Sequence, residues 1–190
     1  MLPRIAAPHV YGGLRNVFRI ATYARAMRPT PLPAGPGQES VWDYPRPPRL
    51  EHLDARVTID LGGERILDTR DVVRVLETSH PPVYYLPVSA FAPESLRPTR
   101  GSSFCEFKGA ARYLAVRGGS VEVDRAAWNY PTPSRGFEDL ADRVAVYAGP
   151  MEACTIDGET VVPQAGGFYG GWITSNLVGP FKGEPGTLGW

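Results

Sequence analysis

Glycine and proline recur along the whole chain and limit how long any helix can be. The 190 residues include 21 glycines and 20 prolines, yet 43% of the residues are hydrophobic, which is enough to form one sizeable core. Proline breaks helix interiors and glycine favours turns, so this composition favours short strands joined by shaped loops. We therefore predict a mainly β fold with little helix.

Several segments have the residue types and alternation that are typical of β-strands. They are 57–61, 66–76, 83–87, 110–116, 120–123, 144–147 and the hairpin around Asp157-Gly158. Because side chains alternate along a strand, Tyr84 and Tyr85 should point to opposite faces, and we expect only one of them to point inward. The glycine-rich segment 166–190 has little strand or helix period, so we expect its aromatic residues to hold it against the sheet or barrel.

The first 38 residues differ from the rest of the chain in charge. Apolar residues recur at helical spacing from Leu14 to Met27, and the arm formed by residues 1–38 has five arginines and no acidic residue. Residues 28–38 are rich in proline and glycine and predict an extended linker. The expected organisation is an N-terminal helical arm (1–38) followed by a single β domain (39–190). The arm is either a surface for a protein partner or a second copy, or a helix packed on its own domain.

Charge and cysteine content restrict the partners and the compartment. The net charge is +0 and the pI is about 6.8, so the chain as a whole has no field that attracts nucleic acid or a membrane. Pro3 and Pro8 interrupt the segment in which a signal peptide would need an apolar run, so we expect a cytoplasmic protein whose two cysteines stay reduced.

The segment 101–116 (GSSFCEFKGAARYLAV) contains a cysteine, an acidic residue and a lysine close together, and these residue types can take part in binding or catalysis. Only two of the 20 basic residues are lysines, Lys108 and Lys182, and both lie in the tripeptide Phe-Lys-Gly. A lysine ammonium can be desolvated and can shift its pKa in ways that a guanidinium cannot, which favours a specific role for Lys108. The alternative is that two lysines remain by chance in an arginine-rich composition.

Cys105 and Lys108 are the candidate catalytic residues. A nearby ammonium favours the reactive thiolate, so Cys105 could act as a nucleophile if the segment turns; in a straight strand the two side chains would lie on opposite faces. The alternative for Cys105 is a small buried hydrophobic residue, and the alternative for Lys108 is binding of an anionic ligand group.

An aromatic pocket would surround these two residues. The predicted ligand-binding residues are Tyr85, His80, Glu106, Trp128 and Tyr130. His80 is either a general base suited to neutral pH or a loop histidine with a structural hydrogen bond.

A short segment of the chain is repeated. The segment Trp42-Asp43-Tyr44-Pro45-Arg46-Pro47 resembles 128–133. Either both segments place a tryptophan and a tyrosine along one wall, or the aromatic residues of both pack into the core.

Phosphate and metal chemistry have little support in the sequence. There is no paired-histidine or paired-cysteine spacing for a metal, and no Asp-x-Asp pair or glycine-rich phosphate loop. Asp68 and Asp71 are the remaining carboxylates that a nucleotidyl transfer site could use, at a generic spacing. We therefore predict no metal and no cofactor.

Four ordered motifs resemble a known family. SHPPVYYLP, SSFCEFKGAARY, AAWNYP and VAVY look like the signature of the bacterial domain-of-unknown-function family 427, and the GFYGGW tail looks like its longer members. The resemblance spans roughly residues 42–190 and implies a small, mainly β domain of curled, tent-like or barrel-like sheets with no agreed activity. The family is sometimes labelled nucleotidyltransferase-like. Many relatives have Pro-Trp where this chain has Glu106-Phe107.

Three function classes follow from these observations. The favoured one is a small-molecule-binding protein or enzyme with a pocket around Lys108 and Cys105. The others are a nucleotidyltransferase-like phosphate-handling enzyme and a structural or protein-interaction module.

Overall fold

The computed structural model describes residues 29–190, and these residues form a mainly β structure. The helix predicted from Leu14 to Met27 lies outside the described residues. The strands are β1 (Glu39–Ser40), β2 (Arg49–Leu61), β3 (Glu64–Leu76), β4 (Val83–Pro87), β5 (Leu96–Cys105), β6 (Gly109–Gly118), β7 (Val121–Asn129), β8 (Arg143–Val146), β9 (Ala153–Ile156), β10 (Glu159–Thr160), β11 (Val162–Pro163), β12 (Trp172–Ile173) and β13 (Leu177–Val178). Two short 3-10 helices span Val88–Ala90 and Glu138–Leu140. No helix among residues 29–190 has the length and apolar character needed to cross a bilayer.

Nine strands form one antiparallel sheet in the order β10-β9-β2-β3-β4-β8-β7-β6-β5. The longest pairing is the hairpin of β2 and β3, 13 residues each, which turns at Gly62-Gly63. The strands β5, β6 and β7 form a meander at the other side of the sheet. The sheet does not close into a barrel, because β10 and β5 remain as its two edges.

The sheet curls so strongly that the tips of two hairpins meet. At the β2–β3 turn, a Cβ atom on Gly62 would overlap the carbonyl of Gly118, and a Cβ on Gly118 would overlap the carbonyl of Leu61. Only glycine lets the two backbones approach this closely.

Apolar side chains are buried on both faces of the sheet. Tyr84 belongs to the larger core cluster with Ile59, Leu86 and Trp172, whereas Tyr85 belongs to a second cluster with Trp128. The expectation that only one of the two tyrosines points inward is therefore wrong. Side-chain alternation holds, but the second face is also covered, because Phe137 and Leu140 pack there in the cluster of Tyr85.

The segments before β2 and after β10 run together. β1 pairs in parallel with β13, and the amide of Leu32 donates to the carbonyl of Gly179 at 3.0 Å. Trp42 and Tyr44 pack in a separate cluster with Val41 and Leu76, away from Trp128. The two similar Trp-x-Tyr-Pro segments therefore do not line one wall.

Candidate functional site

A cavity of about 450 Å³ opens on the face of the sheet that carries Tyr85 and Trp128. Its walls come from the strands β3 to β7, from the β5–β6 turn and from the C-terminal segment. All seven residues that the sequence singled out as candidate site residues line this cavity. They are Cys105, Lys108, Tyr85, His80, Glu106, Trp128 and Tyr130.

The β5–β6 turn brings Cys105 and Lys108 to the same cavity. Cys105 pairs with Gly109, which leaves Glu106, Phe107 and Lys108 as the turn. Gly109 has φ = 96°, a conformation that side-chain-bearing residues rarely adopt, and a Cβ there would lie 3.2 Å from Ser134 Oγ. Cys105 and Lys108 could share a site only if this segment turned, and it does turn.

Lys108 is nearly buried and has no partner in the described part of the chain. Its side chain is part of a residue that is only 9% exposed, and its Nζ lies 6.0 Å from the centroid of the Tyr130 ring. Within residues 29–190 its ammonium forms neither a hydrogen bond nor an ion pair. The Nζ atom itself keeps contact with solvent, so an anion that enters the cavity can reach it and pair with it.

The second lysine of the chain lines the same cavity. Lys182 is 6% exposed, its Nζ donates to the main-chain oxygen of Trp190 at 3.0 Å, and it lies 5.4 Å from the centroid of the Tyr169 ring. Burial, followed by the charge of Arg46, lowers the pKa of Lys182. Neither Lys182 nor Tyr169 was predicted from the sequence to lie in the site. The repeated Phe-Lys-Gly tripeptide was the only signal that pointed to Lys182.

Arg46 also lines the cavity, but two carboxylates already neutralise it. Its guanidinium lies 3.7 Å from Glu77 and 3.3 Å from Glu106. The carboxylate of Glu106, which was predicted to be a ligand-binding group, is therefore directed to Arg46 at the rim. This arrangement leaves Lys108 as the cavity cation without an anionic partner in residues 29–190, since the ammonium of Lys182 already donates to Trp190.

Hydrogen bonds fix the tautomer of His80. Gln164 Oε1 accepts from the amide of Gly171 at 3.0 Å, so its Nε2 is the donor, and this nitrogen contacts both the carbonyl of Lys182 (2.6 Å) and Nδ1 of His80 (3.2 Å). Nδ1 therefore accepts, and Nε2 carries the ring proton. No residue of the described chain bonds to Nε2, which leaves this N–H available on the cavity side.

The protonation of His80 is strongly disfavoured. Burial, and then the positive charges of Lys182, Lys108 and Arg46, lower the pKa of His80 to about 3. A neutral imidazole whose Nδ1 is already engaged is a poor general base near neutral pH. The structure thus favours the alternative of a structurally hydrogen-bonded histidine, with the added feature of one free N–H donor.

The aromatic walls are in contact with one another. The Tyr85 and Trp128 rings meet edge to face with centroids 6.4 Å apart, and Trp128 Nε1 donates to the Tyr85 hydroxyl at 3.3 Å. Tyr130 lies 6.3 Å from Tyr85, and Tyr147 lies 4.5 Å from Trp128. Burial raises the pKa of Tyr85 and of Tyr130, so both hydroxyls stay protonated and can donate hydrogen bonds.

The two cysteines have different environments. Cys105 is half-buried at the cavity, whereas Cys154 is buried in the main core on β9. Burial, with a smaller effect from Asp60, raises the pKa of Cys154 to about 12. Of the two thiols, only Cys105 is placed to react with a bound molecule.

The carboxylates considered for phosphate chemistry are paired with arginines. Asp68 Oδ2 lies 2.6 Å from Arg56, and Asp71 Oδ1 lies 2.6 Å from Arg143. Neither aspartate lines the cavity. Among residues 29–190, no three His, Cys, Asp or Glu side chains converge on a point where they could hold a metal ion.

The part of the chain that contains most of this site matches a known protein family. The family model described as "Domain of unknown function (DUF427)", which carries the label NTP_transf_9, matches residues 49–157. The chain belongs to this family. No curated protein matches the chain. The DUF427 region supplies Lys108, Cys105 and most of the aromatic wall, while Arg46, Tyr169 and Lys182 come from segments outside the matched region.

Proposed function

We propose that this DUF427 protein binds a small anionic molecule with a planar, aromatic part in the cavity around Lys108 and Cys105. The observation that carries the proposal is the ammonium of Lys108, which lies in the cavity beside Tyr130 and lacks a protein partner in residues 29–190. A bound anion would compensate this charge, and the surrounding rings would stack on the planar part of the ligand.

The size and lining of the cavity support a small ligand. Its volume of about 450 Å³ lies within the usual range for small-molecule sites, roughly 300–1,000 Å³. Most of its wall is apolar and aromatic. Its donors include Lys108, the N–H of His80 and the hydroxyl of Tyr130, whereas its two carboxylates, Glu77 and Glu106, are paired with Arg46. Such a lining selects for acceptor-rich, negatively charged groups.

An enzymatic reaction on the bound ligand is an extension of this proposal. Cys105 is half-buried at the same cavity as Lys108, and its thiolate would be the nucleophile. Substitution by serine would separate the two functions, since binding should persist while turnover is lost.

Nucleotidyl transfer is the second candidate function, and the family label is the observation that favours it. It would require carboxylates that hold Mg²⁺, whereas Asp68 and Asp71 are engaged with arginines away from the cavity. This function would produce Mg²⁺-dependent stabilisation by nucleoside triphosphates, which thermal denaturation measures.

A matched pair of variants tests the binding proposal. Lys108→Met removes the cavity ammonium and keeps its apolar stem, and Arg112→Met removes an exposed charge from the neighbouring strand β6. Thermal denaturation would be recorded with a panel of aromatic carboxylates, aromatic phosphates and uncharged analogues. We expect the anions to raise the Tm of the wild type and of Arg112→Met but not of Lys108→Met. Equal responses of all three proteins, or no response of the wild type to any anion, would contradict the proposal.

A further inference from the structure

Both lysines of the chain meet at one cavity. They lie 74 residues apart in the sequence (182 − 108), on the β5–β6 turn and on the C-terminal segment, and every other basic residue is an arginine. Each ammonium lies beside a tyrosine ring, Lys108 beside Tyr130 and Lys182 beside Tyr169. Two unrelated parts of the fold therefore deliver the same chemical group to the same place.

His80 lines the same cavity as the two lysines, and its ring centroid lies 4.6 Å from that of Tyr169, the tyrosine beside Lys182. The positive charges of both lysines act on His80 and help to keep its imidazole neutral. Lys108 has no Asp or Glu carboxylate within 4 Å in the described chain, and Lys182 Nζ donates to the main-chain oxygen of Trp190 at 3.0 Å. The neutral His80 offers an N–H donor in this region without adding a further positive charge.

We propose that Lys108 and Lys182 together bind one anionic group of the ligand, with the Nε2–H of His80 as a third donor. This inference rests on the proposed function and specifies its ligand as a small aromatic acid whose carboxylate or phosphate presents oxygens to both ammonium groups. A carboxylate or phosphate has two or more such oxygens, so it can accept from two donors at once. The ammonium of Lys182 has three N–H donors, of which Trp190 accepts one, so it can still donate to such a ligand.

The C-terminal segment is therefore a part of the binding site. Lys182 is held in place by its own main chain, since its amide donates to the carbonyl of Ser79 at 2.8 Å and its carbonyl accepts from Gln164 at 2.6 Å. The same Gln164 side chain orients His80. One buried amide thus aligns two of the three proposed donors, although Lys182 lies outside the region that matches the family model.

Calorimetric titration of the full chain with three matched probes tests this bridge. Phenyl phosphate and benzoate carry the two anionic groups, and benzyl alcohol is the uncharged control. The variants are Lys108→Met, Lys182→Gln, Lys182→Arg and the charge control Arg112→Met. Glutamine at 182 removes the charge and keeps an N–H donor, and arginine keeps the charge if the segment fails to tolerate glutamine. Circular dichroism and Tm confirm that each variant is folded.

We expect the anions, but not benzyl alcohol, to bind the wild type, Lys182→Arg and Arg112→Met. A hydrogen bond to a charged group is worth enough that Lys108→Met and Lys182→Gln should each bind about tenfold to a hundredfold more weakly. Tighter binding of phenyl phosphate or of benzoate identifies which acid the site prefers, and either result supports the bridge. Binding that depends on Lys108 but is unchanged in a folded Lys182→Gln overturns the bridge and leaves the proposed function in place. Failure of the wild type to bind either anion better than benzyl alcohol overturns both.

Discussion

Gln164 donates a hydrogen bond from Nε2 to Nδ1 of His80 at 3.2 Å, and this contact determines what His80 can do. The amide orientation is fixed by the amide of Gly171, which donates to Gln164 Oε1 at 3.0 Å. His80 is thereby held as a neutral imidazole with its proton on Nε2. It is a hydrogen-bond donor toward the cavity instead of a base.

The first prediction concerns the titration of His80. Because burial and three nearby cations lower its pKa to about 3, its imidazole should stay neutral from pH 8 down to about pH 4. Side-chain NMR of histidine-labelled protein measures this directly, and the signal is assigned by its loss in His80→Gln. A midpoint near the ordinary value of about 6.5 would show that the cavity does not exclude the charge.

The same shift makes the stability depend on pH. Between about pH 6.5 and pH 3 the unfolded chain takes up a proton at His80 and the folded chain does not, so this group lowers the free energy of unfolding as the pH falls. The loss approaches about 1.4 kcal/mol per pH unit for one proton. Urea denaturation of the wild type and of His80→Gln should therefore diverge as the pH is lowered through this window. Parallel pH profiles would contradict the buried, neutral histidine.

The second prediction concerns the close packing of the C-terminal segment on Trp128. A Cβ on Gly170 would overlap the indole ring, and Gly170 does not have a positive φ, so Gly170→Ala tests the contact alone. We expect it to lower the free energy of unfolding by about 1–3 kcal/mol, as overpacking does. The matched control is Gly149→Ala, whose added Cβ would lie 3.9 Å from Pro163 and should change stability by less than about 0.5 kcal/mol. Equal effects of the two substitutions in urea denaturation would contradict the packing described.

The third prediction separates the two cysteines by their reactivity. Cys105 is half-buried at the cavity, whereas Cys154 is buried and its pKa is raised to about 12. Iodoacetamide at pH 8 should therefore modify Cys105 in the native protein and Cys154 only after unfolding, since the thiolate is the reactive form. Peptide mass spectrometry after timed labelling checks this order. Equal rates for the two thiols would place Cys154 outside the core.

The strands could be predicted because their β-branched residues and the alternation of apolar and polar side chains are visible within each short segment. The segment 83–87 coincides with β4, and the predicted strands at 57–61 and 66–76 lie within the paired β2 and β3. The burial of both Tyr84 and Tyr85 could not be predicted, because each face is covered by a side chain from a distant segment, such as Trp172 on one face and Leu140 on the other. The same holds for the curl of the sheet, which rests on the contact between Gly62 and Gly118.

The site was partly predictable for a related reason. Lys108 and Cys105 are three residues apart, so the sequence left one condition open, whether the segment turns, and the structure shows that it does. Lys182 and Arg46 reach the cavity only through tertiary packing, and the sequence offered no more than the repeated Phe-Lys-Gly tripeptide as a sign of the former. The low pKa of His80, which makes it a donor instead of a base, arises from burial and from positive charges that are distant in the chain. The spacing of residues in the sequence cannot reveal these effects.

Binding of an anion by the ammonium of Lys108 can be observed at the lysine side chains themselves. The chain has only two lysines, so protein labelled with 13C at lysine Cε should give two side-chain signals, both from this cavity. They are assigned with Lys108→Met and Lys182→Gln. On titration with phenyl phosphate, we predict a saturable shift of the Lys108 signal that benzyl alcohol does not produce. A Lys108 signal that stays unmoved throughout the titration would contradict the account.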